Sequence, residues 1–217
     1  MKHFIFLILF ITFFLSKAYT QVFRAGFMIG PTITDIDGAD MTDKDDDFHK
    51  LGISFGGLVN TKINKNNLIQ MELAYIQKGS SQPPNQDNSN NYYTLAIHYV
   101  DVTFLIKHNI KLNVNKKDLT RFGIEGGITT GTPVFVNYSV LNYTQPKPEI
   151  NKIDLNILLG LYYNFTSNLF LSLSYSNSII RAIKHTTDII VNPAYTFNKG
   201  NNLVFQITFG YVFKNGK

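Results

Sequence analysis

Between Leu203 and Phe213 the odd-numbered residues read Leu203, Phe205, Ile207, Phe209, Tyr211, Phe213, and the even ones Val204, Gln206, Thr208, Gly210, Val212. Successive side chains of a strand point to opposite faces, so this segment presents one apolar, aromatic face and one face of small or polar groups. A helix, with its period of about 3.6 residues, does not produce that pattern. The segment must therefore pair as a strand, and what it pairs with decides the fold.

The same period of two recurs along the chain. Phe23–Gly30 sets Phe23, Ala25, Phe27, Ile29 against Arg24, Gly26, Met28, Gly30, and 52–62 sets Ile53, Phe55, Val59 against Ser54, Gly56, Asn60. Residues 68–78 carry Ile69, Met71, Leu73, Tyr75 opposite Gln70, Glu72, Ala74, Lys78; residues 99–112 carry Val100, Val102, Phe104, Ile106, Ile110 opposite Tyr99, Asp101, Thr103, Lys107, Asn109. A fifth strand, 121–129, opposes Phe122, Ile124, Ile128 to Arg121, Gly123, Glu125, Gly127, Thr129. A sixth, 153–164, opposes Ile153, Leu155, Ile157, Leu159, Leu161, Tyr163 to Asp154, Asn156, Gly160, Asn164; a seventh, 169–176, opposes Leu169, Leu171, Leu173, Tyr175 to Ser172, Ser174, Ser176. With the C-terminal strand the count is eight, each close to the ten or so residues a tilted membrane strand needs. Composition agrees: 18 Phe and 12 Tyr against 16% charged residues favour strands over solvated helices.

The connections alternate in length. Short polar turns, Asn64–Asn67, Asn113–Asp118 and Thr166–Asn168, follow the second, fourth and sixth strands, whereas long segments, 31–51, 79–98, 130–152 and 178–201, follow the others. Outer-membrane barrels have short periplasmic turns and long external loops, and an even strand number puts both termini in the periplasm. Polar residues interrupt every apolar run after the first, so no later segment reads as a spanning helix. A membrane form must then be a closed barrel, because lipid tolerates no unpaired strand edge. The expected fold is all-β, an eight-stranded antiparallel up-and-down transmembrane β-barrel, with the last strand closing on Phe23–Gly30.

The first 20 residues read as a signal peptide and 21–217 as the barrel domain. Lys2 and His3 precede an apolar run from Phe4 to Leu15, and small residues follow at Ser16 and Ala18. That run is too short to cross a bilayer as an anchor helix, and cleavage falls after Ala18 or Thr20. Its removal takes away Lys2 and Lys17 and no acid, so the net charge falls from +5 to +3 and a nucleic-acid partner is not indicated.

The polar faces decide which side is inside. They are mostly Gly, Ser, Asn and Thr, with charges of both signs at Arg24, Glu72, Lys78, Asp101, Lys107, Arg121, Glu125 and Asp154. Small residues with opposite charges suit a narrow lumen of ion pairs, since an uncompensated charge there is costly. Leu203, Phe205, Ile207 and Phe209 should face lipid, and Gln206, Thr208 and Gly210 the lumen. Eight strands enclose a space that side chains fill, so no pore is expected.

Tyr75-Ile76-Gln77-Lys78-Gly79, Tyr99-Val100-Asp101-Val102-Thr103-Phe104-Leu105-Ile106-Lys107 and Phe209-Gly210-Tyr211-Val212-Phe213 are similar to stretches of the PorT-type outer-membrane β-barrel family of Bacteroidetes, although Asp101 and Thr103 stand where that family carries Glu and Pro. The resemblance implies an eight-stranded barrel in a Gram-negative outer membrane and a link to type IX secretion, with no residue-level role.

Candidate chemistry is sparse, and no catalytic, cofactor-binding or metal-ligating residue is nominated. Asp35–Asp47 holds seven aspartates, Asp35, Asp37, Asp40, Asp43, Asp45, Asp46 and Asp47, but lacks the Gly and Glu spacing of a calcium loop and reads as a solvated acidic loop. His49, His98, His108 and His185 form no metal spacing. With no Cys and no Gly-x-Ser-x-Gly, nucleophile chemistry lacks a motif. Phe23, Tyr75, Tyr163, Tyr175, Tyr211 and Phe213 read as interface aromatics. Val134, Val136, Tyr138 and Val140 keep the strand period and read as a strand extended past the bilayer. The expected protein is a non-enzymatic, monomeric barrel whose partners are outer-membrane lipid and proteins met through external loops, such as secretion machinery. Its alternatives are an enzyme with a rim site at His98 or His185, and a soluble periplasmic ligand-binding barrel.

Overall fold

The computed structural model describes residues 22–40, 50–82, 93–114, 117–119, 121–140, 148–184 and 196–214. The segment read as a signal peptide lies outside them. All regular structure among the described residues is β: β1 Arg24–Asp40, β2 Lys50–Lys62, β3 Asn67–Gln82, β4 Tyr93–Asn109, β5 Leu112–Val114, β6 Lys117–Leu119, β7 Phe122–Val140, β8 Asp154–Asn164, β9 Leu169–Ser178 and β10 Thr196–Val212. Eight of these close into an antiparallel barrel in the order β1-β10-β9-β8-β7-β4-β3-β2, while β5 and β6 form a small hairpin within the β4–β7 connection. Closure runs through β1 and β10, from Gly26 opposite Val212 to Asp40 opposite Thr196.

Turn chemistry sets the register at one end. The Asn64 carboxamide accepts from the backbone N–H groups of Asn66 and Asn67 at 2.9 and 2.8 Å, and the Thr166 hydroxyl accepts from those of Asn168 and Leu169 at 3.2 and 3.0 Å. Asn and Thr side chains stand in for backbone acceptors in this way, so each turn fixes which residues face each other in the strands it joins. This end, which also holds both ends of the barrel chain, is called the turn end; the opposite one is the loop end.

The alternation then sorts the wall. Phe27, Phe104, Leu159 and Phe209 point outwards and are 51%, 55%, 65% and 49% exposed, whereas Ser54, Gln70, Asn156 and Thr208 point inwards and are buried. Leu203, Phe205, Ile207 and Phe209 lie on the outer face and Gln206, Thr208 and Gly210 on the inner one, as the period of two requires.

Strand extends into each of the four segments expected as long connections. β1 continues to Asp40, β3 to Gln82, β7 to Val140, β4 begins at Tyr93 and β10 at Thr196. The β3–β4 ladder is unbroken up to Gln82 opposite Tyr93, and β4–β7 reaches Tyr93 opposite Val140. Pairing with a neighbour overrides the weak strand preference of the Asp, Gly, Ser and Gln residues in these stretches. Asp35, Asp37 and Asp40 accordingly belong to β1, not to an acidic loop, and Asp43, Asp45, Asp46 and Asp47 lie outside the described residues. At the other end of β4, Leu112 leaves the barrel wall for the β5–β6 hairpin.

One bulge changes which residues face inwards. Tyr99 pairs with Pro133 and His98 with Phe135, leaving Val134 as an extra residue in β7. An inserted residue reverses the faces beyond it. Val134 and Phe135 both end up outside, 59% and 57% exposed. Val136 and Tyr138, whose even numbers match the outward set earlier in β7, pack instead against the interior.

Close backbone approach explains two contrasting glycines. A Cβ on Gly30 would lie 1.7 Å from the Ile207 carbonyl oxygen, whereas one on Gly57 meets nothing nearer than the Gly26 oxygen at 3.8 Å. Gly30→Val should prevent closure of β1 on β10 and abolish refolding into detergent micelles followed by circular dichroism. Gly57→Val should refold as the wild type does.

Candidate functional site

The interior is where this chain places its unusual groups. Nearest the turn end, Met28, Leu58, Ala74, Phe170 and Val212 form an apolar cluster. Beside it Lys107 reaches from β4 to Glu125 on β7, Nζ to Oε2 2.7 Å, with its ammonium 4.4 Å from the centre of the Phe170 ring and 4.9 Å from that of Tyr162. Ser172 donates to the same Glu125 carboxylate. Glu72 accepts from Gln70 at 2.6 Å, and Gln70 in turn lies 3.5 Å from the Asn60 carboxamide.

Higher in the lumen, Lys78 of β3 sits between two carboxylates, 2.8 Å from Asp101 Oδ2 on β4 and 2.8 Å from Asp154 Oδ2 on β8. Asn202 donates to Asp154 at 3.0 Å, and the Lys78 ammonium stands 4.7 Å from the centre of the Tyr99 ring. Neighbouring glycines make room: a Cβ on Gly131 would meet Asp101 Oδ1 at 2.1 Å, and one on Gly160 would meet Glu125 Oε1 at 2.9 Å. Between the two lysine clusters lies a cavity of about 20 Å³ lined by Ser54, Glu72, Thr103, Thr129, Ser176 and Gln206 among others, a volume that suits one water molecule. Lys107 thus pairs with the residue directly opposite it on the neighbouring strand, and Lys78 joins the neighbouring β4 through Asp101 and crosses the lumen to β8 through Asp154.

Six of the eight charges expected in the lumen are there: Glu72, Lys78, Asp101, Lys107, Glu125 and Asp154. Arg24 and Arg121 are not. Arg121 is exposed just before β7, and the Arg24 guanidinium, in the first residue of β1, donates to the Ser167 carbonyl of the β8–β9 turn at 3.4 Å. Both lie at strand starts, where a long side chain escapes to solvent and avoids the penalty of burial.

Sequence reading missed the loop end of the interior, which is apolar. Ile36, Ile76, Leu95, Ile97, Tyr99, Ile183 and Val204 form a buried cluster, with Val136, Tyr138 and Ile150 against it. Ile183 comes from the segment after β9, which folds inwards. It bridges to Ile150, Asn151 N–H donates to the Ala182 carbonyl at 2.8 Å, and Ala182 N–H donates to that of Gly200 at 2.7 Å. Fully burying side chains of this size contributes about 1.5–3 kcal/mol each. The cluster draws on β1, β3, β4, β7 and β10, so it corks the barrel above the charged layer. Its signal was present as inward-facing apolar residues at Leu95, Ile97 and Ile36, all within stretches expected as loops.

The histidines do not converge. His98 lies on the outer wall, its Nδ1 2.5 Å from Tyr75 Oη and its ring 5.4 Å from that of Phe135, and Tyr75 also packs on Phe55 at 5.0 Å. This is an aromatic row across β2, β3, β4 and β7. His108 is at the turn end, 2.6 Å from Asn67 Oδ1. His49 and His185 lie outside the described residues. Among the described residues no group of three His, Cys, Asp or Glu is arranged to hold a metal. Of the expected interface aromatics, Phe23 and Phe213 point outwards at the turn end, 63% and 50% exposed.

Removing one member of a buried ion cluster leaves its partners uncompensated at a cost of about 3–5 kcal/mol, whereas replacing the whole cluster with apolar groups is close to neutral. Lys78→Met should therefore lower the stability of the refolded barrel in a urea titration by that amount. Lys78→Met/Asp101→Leu/Asp154→Leu should recover most of the loss.

Among solved structures the chain is similar to Ail, the attachment invasion locus protein of Yersinia pestis, at 14% identity over 88% of this chain and 99% of that one, TM-score 0.49. Neisserial surface protein A matches at 12% identity over 88% and 96% of the two chains, TM-score 0.46, and the outer membrane protein OprG from Pseudomonas aeruginosa at 13% over 88% and 94%, TM-score 0.40. Among curated proteins none matches in sequence. The model of one family, described as an outer membrane protein beta-barrel domain, matches residues 19–184. With a closed eight-stranded wall, an apolar outer face and that match over most of its length, the chain belongs to the outer membrane protein beta-barrel domain family.

Proposed function

We propose that this protein is a non-enzymatic component of the outer membrane that acts at its loop end, through contacts with other molecules, and neither conducts nor catalyses. The observation that carries this reading is the cork: Ile183, 4% exposed, packs among Ile36, Leu95, Ile97 and Tyr99 directly above the Lys78 cluster. Among the described residues an apolar plug over paired charges fills the lumen, an arrangement that disfavours a water path. The described histidines lie on the outer wall or at the turn end, away from one another.

The reading extends to topology and export. Residues 1–20 act as a signal peptide removed on export, leaving 21–217 as the barrel domain. The even strand number and the short turns support a periplasmic position for both termini, with the long connections outside. Contacts made by the projecting ends of β1, β3, β4, β7 and β10 then define the role, as an adhesion, structural or secretion-accessory protein. The resemblance to PorT-type barrels of Bacteroidetes supports the last of these.

Because the chain has no cysteine, single cysteines report topology directly. Arg181→Cys, at the exposed loop end, should react with a membrane-impermeant maleimide on intact cells, and Lys65→Cys, in the β2–β3 turn, only after lysis. Reaction at Lys65→Cys on intact cells would invert the topology. In a planar bilayer the purified barrel should give no steady ohmic conductance, and a stable open channel would contradict the filled lumen.

A further inference from the structure

The turn end carries cations that the lumen does not use. Arg24 opens β1, Lys62 and Lys65 lie at the β2–β3 turn, Lys111 follows β4, Arg121 precedes β7 and Lys214 follows β10. Arg24 is half-buried and the rest are exposed. The acids are elsewhere. Among the described residues Glu72, Asp101, Glu125 and Asp154 are inside the barrel, and Asp35, Asp37, Asp40 and Glu149 are at the loop end. Asp118 alone shares the turn end, in β6 next to Lys117.

The cations surround the barrel. They occupy the β2–β3, β4–β7 and β10–β1 sectors, and at the remaining β8–β9 turn the Arg24 guanidinium reaches the Ser167 carbonyl at 3.4 Å. Phe23, Tyr163, Phe165 and Phe213, all outward and 37–63% exposed, mark the end of the apolar wall at the same level. Moving along the barrel towards its turn end, the outer surface passes from aliphatic to aromatic to cationic. A lipid leaflet has the same order of layers, from acyl chains through the interface to headgroup phosphates.

We propose that this ring binds the headgroups of anionic phospholipids in the leaflet at the turn end. A protein partner would need a contiguous patch on one side, whereas only lipid meets a barrel around its whole circumference. Basic residues at an anionic membrane surface each bias partition by about fivefold, and the effect fades within a Debye length. The ring therefore selects lipid electrostatically and reversibly, and holds the barrel at a set depth against the aromatic boundary. The proposal rests on the membrane placement given above.

The test is the association of spin-labelled phosphatidylglycerol with the barrel inserted in phosphatidylcholine vesicles, relative to spin-labelled phosphatidylcholine, with insertion checked by trypsin protection. The wild type should favour phosphatidylglycerol at least about threefold at low salt, with the preference falling towards one in 1 M salt. Lys62→Gln/Lys65→Gln/Lys111→Gln/Arg121→Gln should insert but show no preference. Lys152→Gln/Arg181→Gln/Lys184→Gln, altered at the loop end, should keep it. An inserted wild type without preference overturns the proposal and leaves the membrane placement standing, as does a preference that survives the first variant or is lost in the second. A wild type that inserts into no vesicle overturns both.

Discussion

Hydrocarbon offers a strand no hydrogen-bond partner except another strand, and the architecture follows from that restriction. An edge left open would leave a row of backbone N–H and C=O groups unsatisfied in lipid, so the first and last strands have to meet. They do so over nearly their whole lengths, from Gly26 opposite Val212 to Asp40 opposite Thr196. The glycines on this seam and elsewhere allow strands to approach closely; at Gly30 a single added carbon would sit almost on the Ile207 carbonyl. Once the wall is closed, the period of two leaves each side chain a choice between lipid and lumen, and the chain places its Phe, Leu and Ile residues outside for most of its height.

The interior solves a different problem. Its walls are close enough for side chains from opposite strands to touch, and water is scarce, so charged groups must find partners across the space. Lys78 does this with Asp154, while Asp101 and, for Lys107, Glu125 compensate from the neighbouring strand, and small residues beside them supply the room. Above this layer the barrel rises beyond its outer apolar belt and the solvent relation reverses: apolar residues turn inwards around Ile183, and Gln77 and Asn177 turn outwards. The molecule is therefore inside-out where it meets lipid and follows soluble-protein rules where it projects. That division leaves the projecting end as the part available for the proposed contacts, because the membrane portion is occupied with holding itself closed.

Much of this was legible in the residues. Periodicity located eight strands, their inner and outer faces, the closing pair and six of the lumen charges, because alternation is a direct consequence of strand geometry. Strand ends were less legible. Ile36, Leu95 and Ile97 lie in stretches whose Asp, Asn and Gly content reads as loop, and only pairing with a neighbouring strand makes them regular. The bulge at Val134 was invisible for a related reason: the run Val134, Val136, Tyr138, Val140 shows that the strand continues but not that its faces have exchanged. The cork was hidden by distance along the chain, since Ile183 meets residues from strands far away in sequence, a contact no local pattern encodes.

The central claim is that this chain closes as a barrel within the outer membrane. Cell fractionation followed by electrophoresis of boiled and unboiled samples tests it most directly, because a closed barrel keeps its compact form in detergent until heated. The account predicts recovery in the outer-membrane fraction, release only with detergent, and faster migration of the unboiled protein. A protein released without detergent, or one whose mobility is the same before and after boiling, would contradict it.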